Sequence, residues 1–169
     1  MSYSSVIEYL YTLQKHGIKL GLETMQTLLN RVGNPHRSLR VLHIGGTNGK
    51  GSTAAMVASV LHHSGRRVGL YTSPHLVEFR ERIRVNRCMI AEHHVETLIA
   101  RLRAALHDNL EPTFFEMTTA LAFLYFADSE VDVVVLEVGL GGRFDATNVV
   151  DQPLASAITT IGLDHQEYL

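Results

Sequence analysis

The sequence has 169 residues, of which 46% are hydrophobic, and its formal net charge is −2. This length suits one α/β domain or part of a larger protein. The small negative charge gives no electrostatic reason to expect nucleic acid as a partner, and no apolar run approaches the ~20 residues of a membrane span. Cys88 is the only cysteine, which excludes an internal disulfide and a cysteine-rich zinc site. The first residues lack the pattern of a signal peptide. We therefore expect a cytoplasmic enzyme that binds neither nucleic acid nor a membrane.

Two amphipathic helices are predicted before the first strand. The first ends near His16, and the second runs from about Glu23 to Val32. Apolar residues recur in them at helical spacing: Val6, Leu10 and Leu13, then Met25, Leu28 and Leu29. We expect these residues to pack in the core.

A glycine-rich segment follows the first predicted strand, Arg40 to Ile44, and precedes a helix predicted from Lys50 to about His63. Unpaired amide groups at a helix N-terminus attract anions, and glycines let the backbone wrap closely around one. Lys50 adds a full positive charge, and a hydroxyl group just after it can hold a magnesium ion. The segment therefore predicts a site for the phosphates of a nucleotide. The expected binding residues are Gly46, Thr47, Asn48, Gly49, Lys50, Gly51, Ser52 and Thr53.

This segment departs from the general P-loop pattern at two positions. The pattern requires its first glycine at position 44, which is Ile44, and a hydroxyl residue directly after the lysine, where this chain has Gly51. The hydroxyl falls one place later, at Ser52 or Thr53. A glycine-rich turn without a ligand is the alternative interpretation, but a strand, glycines, a lysine and hydroxyl groups all coincide here.

A loop rich in charge and hydroxyl groups, residues 72–83, follows a second predicted strand, Val68 to Tyr71. Ligands of open α/β sheets bind beyond the carboxyl ends of the strands, and Ser73 is therefore well placed for a ligand role. A simple Ser-Pro turn is the alternative. The charged residues 80–82 are equally consistent with a solvated loop face.

The next stretch is predicted to be extended and then helical. A short extended piece runs from Ile83 to Ile90, and an amphipathic helix follows from Ala91 to about Leu110. Another helix, which continues to Asp128, opens on a capping box. In that box Thr113 is the N-cap and Glu116 is its partner three residues on.

The clearest strand, Val131 to Val138, is a nearly continuous β-branched run, which indicates a parallel sheet with helices on both faces. Glu137 lies at its end, and a buried carboxylate there is costly unless it is paired or binds a cation.

A further strand, Leu154 to Ile161, is followed by His165. Because parallel strands end at one edge, we expect Ser73, Glu137 and His165 beside the P-loop. Their oxygen and nitrogen donors, with phosphate oxygens, suit Mg²⁺, although histidine is a less usual ligand for so hard an ion.

Five segments together resemble one family. They are GTNGKGST (46–53), SPHLVEFRERI (73–83), TFFE (113–116), EVGLGGRFDATN (137–148) and GLDHQEYL (162–169). They are similar to segments of folylpolyglutamate synthase and dihydrofolate synthase, in the Mur-ligase superfamily, and the resemblance runs over nearly the whole chain. It implies a P-loop α/β fold of the Mur-ligase central-domain type, with a mostly parallel sheet that is flanked by helices and incomplete here.

The resemblance also implies roles for individual residues. The expected Mg²⁺ ligands are Ser52, Ser73, Glu137 and His165. The expected pterin-binding residues are Thr113, Phe115 and Asp145. Lys50 is expected to stabilise charge on the phosphoryl group that ATP transfers. Structural alternatives stay open for two of these residues, since the capping box explains Thr113, and an Asx-turn or helix cap explains Asp145.

The activity implied by the resemblance is ATP-dependent amide-bond formation. ATP phosphorylates a carboxylate of dihydropteroate or folate, and the amine of L-glutamate attacks the resulting acyl phosphate. Residues 1–169 correspond to the N-terminal part of the family's ATP-binding domain, without its later carbamylated lysine or its C-terminal glutamate-ligase domain. We therefore expect the isolated chain to bind substrate weakly and not to turn over. We also expect a homodimer or a missing C-terminal half to cover the incomplete sheet.

Several alternatives remain open. Dihydrofolate synthesis, polyglutamylation or both fit the resemblance. A related Mur-type ligase is disfavoured by the TFFE and GGRFDATN segments, and a generic P-loop kinase by the shifted spacing of lysine and hydroxyl. A catalytically inactive nucleotide-binding or interaction fragment is favoured by the absent domain.

Overall fold

Five α-helices and six strands lie in the residues that the computed structural model describes, which are 2–17, 19 and 21–163. The helices are α1 (Tyr3–Thr12), α2 (Glu23–Arg31), α3 (Lys50–His63), α4 (Glu92–Ala104) and α5 (Phe114–Asp128). The strands are β1 (Val41–Gly45), β2 (Val68–Tyr71), β3 (Ile83–Val85), β4 (Cys88–Met89), β5 (Val133–Glu137) and β6 (Ala155–Ile158). Short 3₁₀ helices lie at Leu13–His16, Pro35–Ser38, Phe79–Arg82 and Ala146–Val149.

The strands form one mixed sheet in the order β4-β3-β2-β5-β1-β6. β1 pairs in parallel with β5 and β6, and β2 pairs in parallel with β5. These strands therefore end at the same edge, where Ile44 lies opposite Glu137, and Tyr71 opposite Leu136. The predicted mostly parallel α/β sheet is confirmed. The antiparallel hairpin of β3 and β4 at one edge is an addition that the sequence pattern does not predict.

Alternate side chains of β5 face two apolar clusters. Val134 and Leu136 pack with α1, α2, α4 and α5 on one face of the sheet, whereas Val133 and Val135 pack with α3 on the other. Every residue of β5 is buried, because helices cover both faces of the sheet, as its β-branched run predicts. The burial of this apolar surface is the main contribution to the stability of the layered fold.

Helix α5 lies between the sheet and the other helices, and 10 of its 15 residues are buried. A helix that is apolar on all sides is typical of such a position. Its buried threonines are paired, since the Tyr71 hydroxyl group hydrogen-bonds with Thr118 (3.2 Å) and Thr119 (3.0 Å). The N-terminal half of α5 is thereby held against the end of β2, beside the candidate site.

Helix α4 is shorter than predicted, and the edge strand β6 is exposed. The helix predicted from Ala91 to about Leu110 ends earlier, at Ala104, and the chain then turns through Asp108 and Asn109 with positive φ angles of 53° and 59°. Strand β6 lies at the sheet edge with all four residues exposed. Across the described ranges, the helices are too short or too polar to cross a bilayer.

Candidate functional site

The P-loop connects the end of β1 to the start of α3. Gly49 is the N-cap of α3, and the amide groups of the first helical turn have no helical partners. Lys50 donates from Nζ to the carbonyl oxygens of Gly46 (2.8 Å) and Thr47 (3.1 Å). The lysine is thus held over the loop, with its charge beside the amide groups that favour an anion.

The chain beyond β6 holds the other side of the P-loop. The Thr47 amide donates to the carbonyl oxygen of Thr160 (2.7 Å), and the Thr159 hydroxyl donates to that of Asn48 (2.7 Å). A cleft of about 440 Å³, which we call the P-loop cleft, lies between the P-loop, residues 138–143 and the end of β6. The sequence pattern predicts the loop but not the part that β6 plays in it.

Glu137, at the end of β5, is only 4% exposed. Its Oε2 accepts a hydrogen bond from the Ser73 amide (2.9 Å), and its Oε1 accepts none from the residues that the structure describes. Burial raises the pKa of this carboxyl group, although the Ser73 amide and the charges of Lys50 and Arg82 act in the opposite direction. A buried carboxylate with one free oxygen is suited to bind a cation.

Gly51 explains why the hydroxyl group is shifted by one place from the general P-loop pattern. A Cβ atom at this position would lie 3.3 Å from Oε1 of Glu137. A side chain here would therefore crowd the carboxylate, and Ser52 is the first residue of α3 that carries a hydroxyl group.

The four predicted metal ligands are only partly brought together. Ser73 and Glu137 are in contact through the Ser73 amide, and Ser52 follows the glycine that packs against Glu137. His165 lies outside the described residues. Within residues 2–163 as described, no three His, Cys, Asp or Glu side chains form a metal-binding group. The donors at hand are oxygens, which is the preference of hard divalent cations.

A second cleft, of about 420 Å³, opens on the other side of residues 139–140. We call it the aromatic cleft. Its lining comes from the connector at 17–21, the loop at 73–82, the start of α5 and residues 139–146. Thr113, Phe115 and Asp145, the predicted pterin-binding residues, all line it.

Thr113 and Asp145 also stabilise the local backbone. Thr113 accepts from the Glu116 amide (3.1 Å), and Glu116 accepts from the Thr113 amide (2.7 Å), so the predicted capping box is confirmed. Asp145 caps the 3₁₀ helix Ala146–Val149 and accepts from the amides of Leu140 (2.8 Å) and Thr147 (3.0 Å) and from the Thr147 hydroxyl group. The structural interpretations of both residues hold, and their ligand roles stay predictions.

Phe115 packs against Gly139, one of the two residues that form the wall shared by the clefts. A Cβ atom at Gly139 would overlap the Phe115 ring, so only glycine allows this close approach of ring and backbone. Gly139 and Leu140 line both clefts. The two clefts therefore adjoin at these two residues.

Arg82 is the residue of this region that the sequence pattern misses. It is 7% exposed rather than part of a solvated loop face, and it lines the aromatic cleft. Glu81 organises the preceding loop by accepting from the amides of Leu76 (2.9 Å), Val77 (2.9 Å) and Glu78 (2.8 Å). These bonds lower the pKa of Glu81 to about 2. The acidic pair Glu78 and Glu81, three residues apart, is the local sequence signal for this ordered turn.

A parallel sheet with a P-loop after one strand and a buried acid at the end of the adjacent strand defines a P-loop nucleotide-binding α/β protein. A sequence model of the Mur ligase middle domain matches residues 44–169. The chain therefore belongs to the Mur ligase middle-domain family, as the resemblance of its motifs implies.

Close relatives agree with this assignment. Dihydrofolate synthase/folylpolyglutamate synthase of Bacillus subtilis is 44% identical in an alignment of 174 positions that covers 99% of this chain and 40% of that protein. The structure of Escherichia coli FolC in complex with DHPP and ADP is 39% identical, with a TM-score of 0.94 over 100% of this chain and 40% of that one. The Yersinia pestis folylpolyglutamate synthase/dihydrofolate synthase, complexed with AMPPNP and Mn ion, is 37% identical, with a TM-score of 0.90 over 100% of this chain and 41% of that one. The chain thus spans about two fifths of these relatives.

Proposed function

We propose that this chain is the nucleotide- and pterin-binding part of a dihydrofolate synthase/folylpolyglutamate synthase, which joins L-glutamate to dihydropteroate or folate with ATP. The main observation in support is that the P-loop cleft and the aromatic cleft share a wall. This wall, Gly139 and Leu140, comes directly after the strand that ends in Glu137. Phosphoryl transfer requires donor and acceptor side by side. The names of the relatives, and the DHPP and ADP in the E. coli structure, support the same assignment.

The reaction has two steps. The γ-phosphoryl group of ATP moves to a carboxylate oxygen of the substrate, which gives ADP and an acyl phosphate. The amine nitrogen of L-glutamate then attacks the acyl carbon, phosphate leaves, and the nitrogen loses a proton to give the amide. The amide groups of residues 46–53 and the Lys50 ammonium group bind the phosphates and neutralise the charge that develops on them. The protein groups position and neutralise; they do not react covalently.

Mg²⁺ fits the donors at the end of β5. Glu137 offers its Oε1, Ser52 and Ser73 offer hydroxyl groups, and His165 is the fourth proposed ligand. Phosphate oxygens complete a set that suits a hard cation. The Mn ion in the Y. pestis structure supports a divalent metal. When bound, the ion supplies charge neutralisation on the transferred phosphoryl group.

The aromatic cleft is the proposed pterin site, with Thr113, Phe115 and Asp145 as its binding residues. The aromatic ring of Phe115 suits contact with a flat heteroaromatic ring. In this proposal, the L-glutamate site belongs to the part of the relatives that this chain does not match. The same part, or a second copy of this chain, covers the exposed strand β6.

Isothermal titration of ATP with Mg²⁺ into the purified chain tests the nucleotide half of the proposal. Lys50→Ala removes the ammonium group over the loop and is expected to weaken binding about a hundredfold, since charge-assisted hydrogen bonds are the strong ones. Lys15→Ala, at an exposed lysine of the 3₁₀ helix after α1, is the matched control and is expected to bind like the wild type.

A second titration distinguishes the substrate classes. Pteroate is expected to bind, and a UDP-muramyl peptide acid is not. Binding of the muramyl acid instead would assign the chain to a Mur-type ligase. A folded chain that binds neither ATP nor pteroate contradicts the proposal.

A further inference from the structure

Arg82 presents unused hydrogen-bond donors to the aromatic cleft. Its Nε donates to Nδ1 of His75 (2.8 Å), and its guanidinium carbon lies 5.2 Å from the centre of the Phe114 ring. Neither Nη atom hydrogen-bonds with any residue that the structure describes. The Nη groups are therefore free to donate to a ligand in the cleft that Arg82 lines.

The surroundings of Arg82 hold it in one position. Because arginine can only donate, Nδ1 of His75 carries no proton, and the neutral ring has its proton on Nε2, which faces the Tyr11 hydroxyl group (3.2 Å). The Tyr11 and Phe114 rings stack at 5.7 Å. The guanidinium plane is thus fixed before a ligand arrives.

The carboxylates of the cleft do not compete strongly for Arg82. Glu116 and Asp145 already accept backbone hydrogen bonds, and Glu137 does not line the aromatic cleft. Lys19 is the other cation that lines the cleft; it is exposed and donates to the carbonyl oxygen of Glu111 (2.7 Å). Arg82 is therefore the pre-positioned cation of the two.

We propose that Arg82 is the specificity-determining residue of the aromatic cleft, and that it binds the aryl carboxylate of a pteroate-type ligand through its Nη groups. The inference rests on the proposed function and deepens it. A planar guanidinium group matches a carboxylate with two parallel hydrogen bonds.

The test compares two ligands that differ in one group: pteroate and its decarboxylated analogue, the same pterin joined to aniline. Calorimetric titration measures both on the wild-type chain and on four variants, Arg82→Met, Arg82→Lys, Lys19→Met and Arg80→Met. The wild type is expected to prefer pteroate by about ten- to a hundredfold, the range for charge-assisted hydrogen bonds. Arg82→Met is expected to abolish that preference while its affinity for the analogue changes less than about twofold. Arg80→Met, at an arginine paired with Glu78 outside the cleft, is expected to behave like the wild type.

The other variants distinguish failure of this inference from failure of the proposed function. A preference for pteroate that survives in Arg82→Met, or that is lost in Lys19→Met instead, overturns the role of Arg82 and leaves the proposed function intact. A wild-type chain that binds neither ligand overturns both. If circular dichroism finds Arg82→Met unfolded, Arg82→Lys decides, because lysine keeps the charge but not the planar fork. It is expected to lose part of the preference, and full retention overturns the inference.

Discussion

The P-loop cleft and the aromatic cleft share a wall but are built in opposite ways. One contiguous stretch, the P-loop, forms one side of the P-loop cleft through Gly46, Thr47 and Lys50. Side chains from four separate segments form the aromatic cleft. Backbone amides at a helix start remain available to a ligand. A cleft of side chains depends on which polar groups are already paired within the protein, and the two regions differ most in that respect.

Three buried carboxylates illustrate the difference. Glu137, beside the P-loop, has a single hydrogen-bond donor, and burial raises its pKa. Asp145 and Glu116, in the aromatic cleft, accept the backbone amides of Leu140, Thr147 and Thr113. A carboxyl group whose pKa is raised by burial gains from a neighbouring cation. Glu137 is therefore the group left open for a ligand, whereas Asp145 and Glu116 first stabilise the cleft walls.

Gly139→Val breaks the wall between the clefts and is expected to have the largest effect. The new side chain overlaps the Phe115 ring, so the free energy of unfolding, measured with urea, should fall by about 1–3 kcal/mol, as is usual for overpacking. Pteroate binding should weaken more than ATP binding, since the displaced ring lies in the aromatic cleft. Gly142→Val, in the same loop but with open space at its Cβ position, is the matched control. Equal stability of the two variants contradicts the close packing at Gly139.

Asp145→Asn removes one of the two acceptor oxygens of Asp145 and tests whether this side chain stabilises the wall of the aromatic cleft. The NH₂ group that replaces this oxygen cannot accept a hydrogen bond, so either the Leu140 amide or the Thr147 amide loses its acceptor, and stability should fall by about 1–2 kcal/mol at pH 7. Urea unfolding without ligand measures the loss. An unchanged midpoint in the absence of ligand contradicts the structural role of Asp145.

Glu137→Gln is expected to have the smallest effect and the opposite sign. Because the pKa of Glu137 is raised in the folded chain, its charged form costs stability above that pKa, and the cost disappears as the pH falls towards the ordinary value of 4.5. The variant should therefore be more stable than the wild type at pH 7. The gain should shrink to zero by about pH 4.5, which urea unfolding across the pH range measures. A destabilised variant at pH 7 without metal contradicts the description of Glu137 as an underpaired carboxylate.

The parts of the molecule that the sequence predicts are those determined by local residues. The P-loop and the buried run of β5 are each contiguous, and the capping box of Thr113 and Glu116 spans four residues. Backbone chemistry and side-chain periodicity therefore indicate them directly.

The parts that the sequence does not predict depend on contacts between distant residues. Arg82 is indistinguishable from a solvated charge until His75 and Phe114 are known to lie beside it. Gly51 is a departure from a motif until the carboxylate of Glu137, 86 positions away, is placed against it. The antiparallel β3 and β4 hairpin has too few residues to produce a periodic pattern.

Simultaneous occupancy of the two clefts is the most direct test of this account. Pteroate is titrated calorimetrically into the free chain and into the chain saturated with ADP and Mg²⁺, for the wild type and for Lys50→Ala. Two adjoining subsites predict one pteroate bound per chain in both conditions, and they predict that Lys50→Ala loses the nucleotide but keeps pteroate. Competition between pteroate and ADP, or loss of both ligands in Lys50→Ala, would contradict the separation of the two clefts by Gly139 and Leu140.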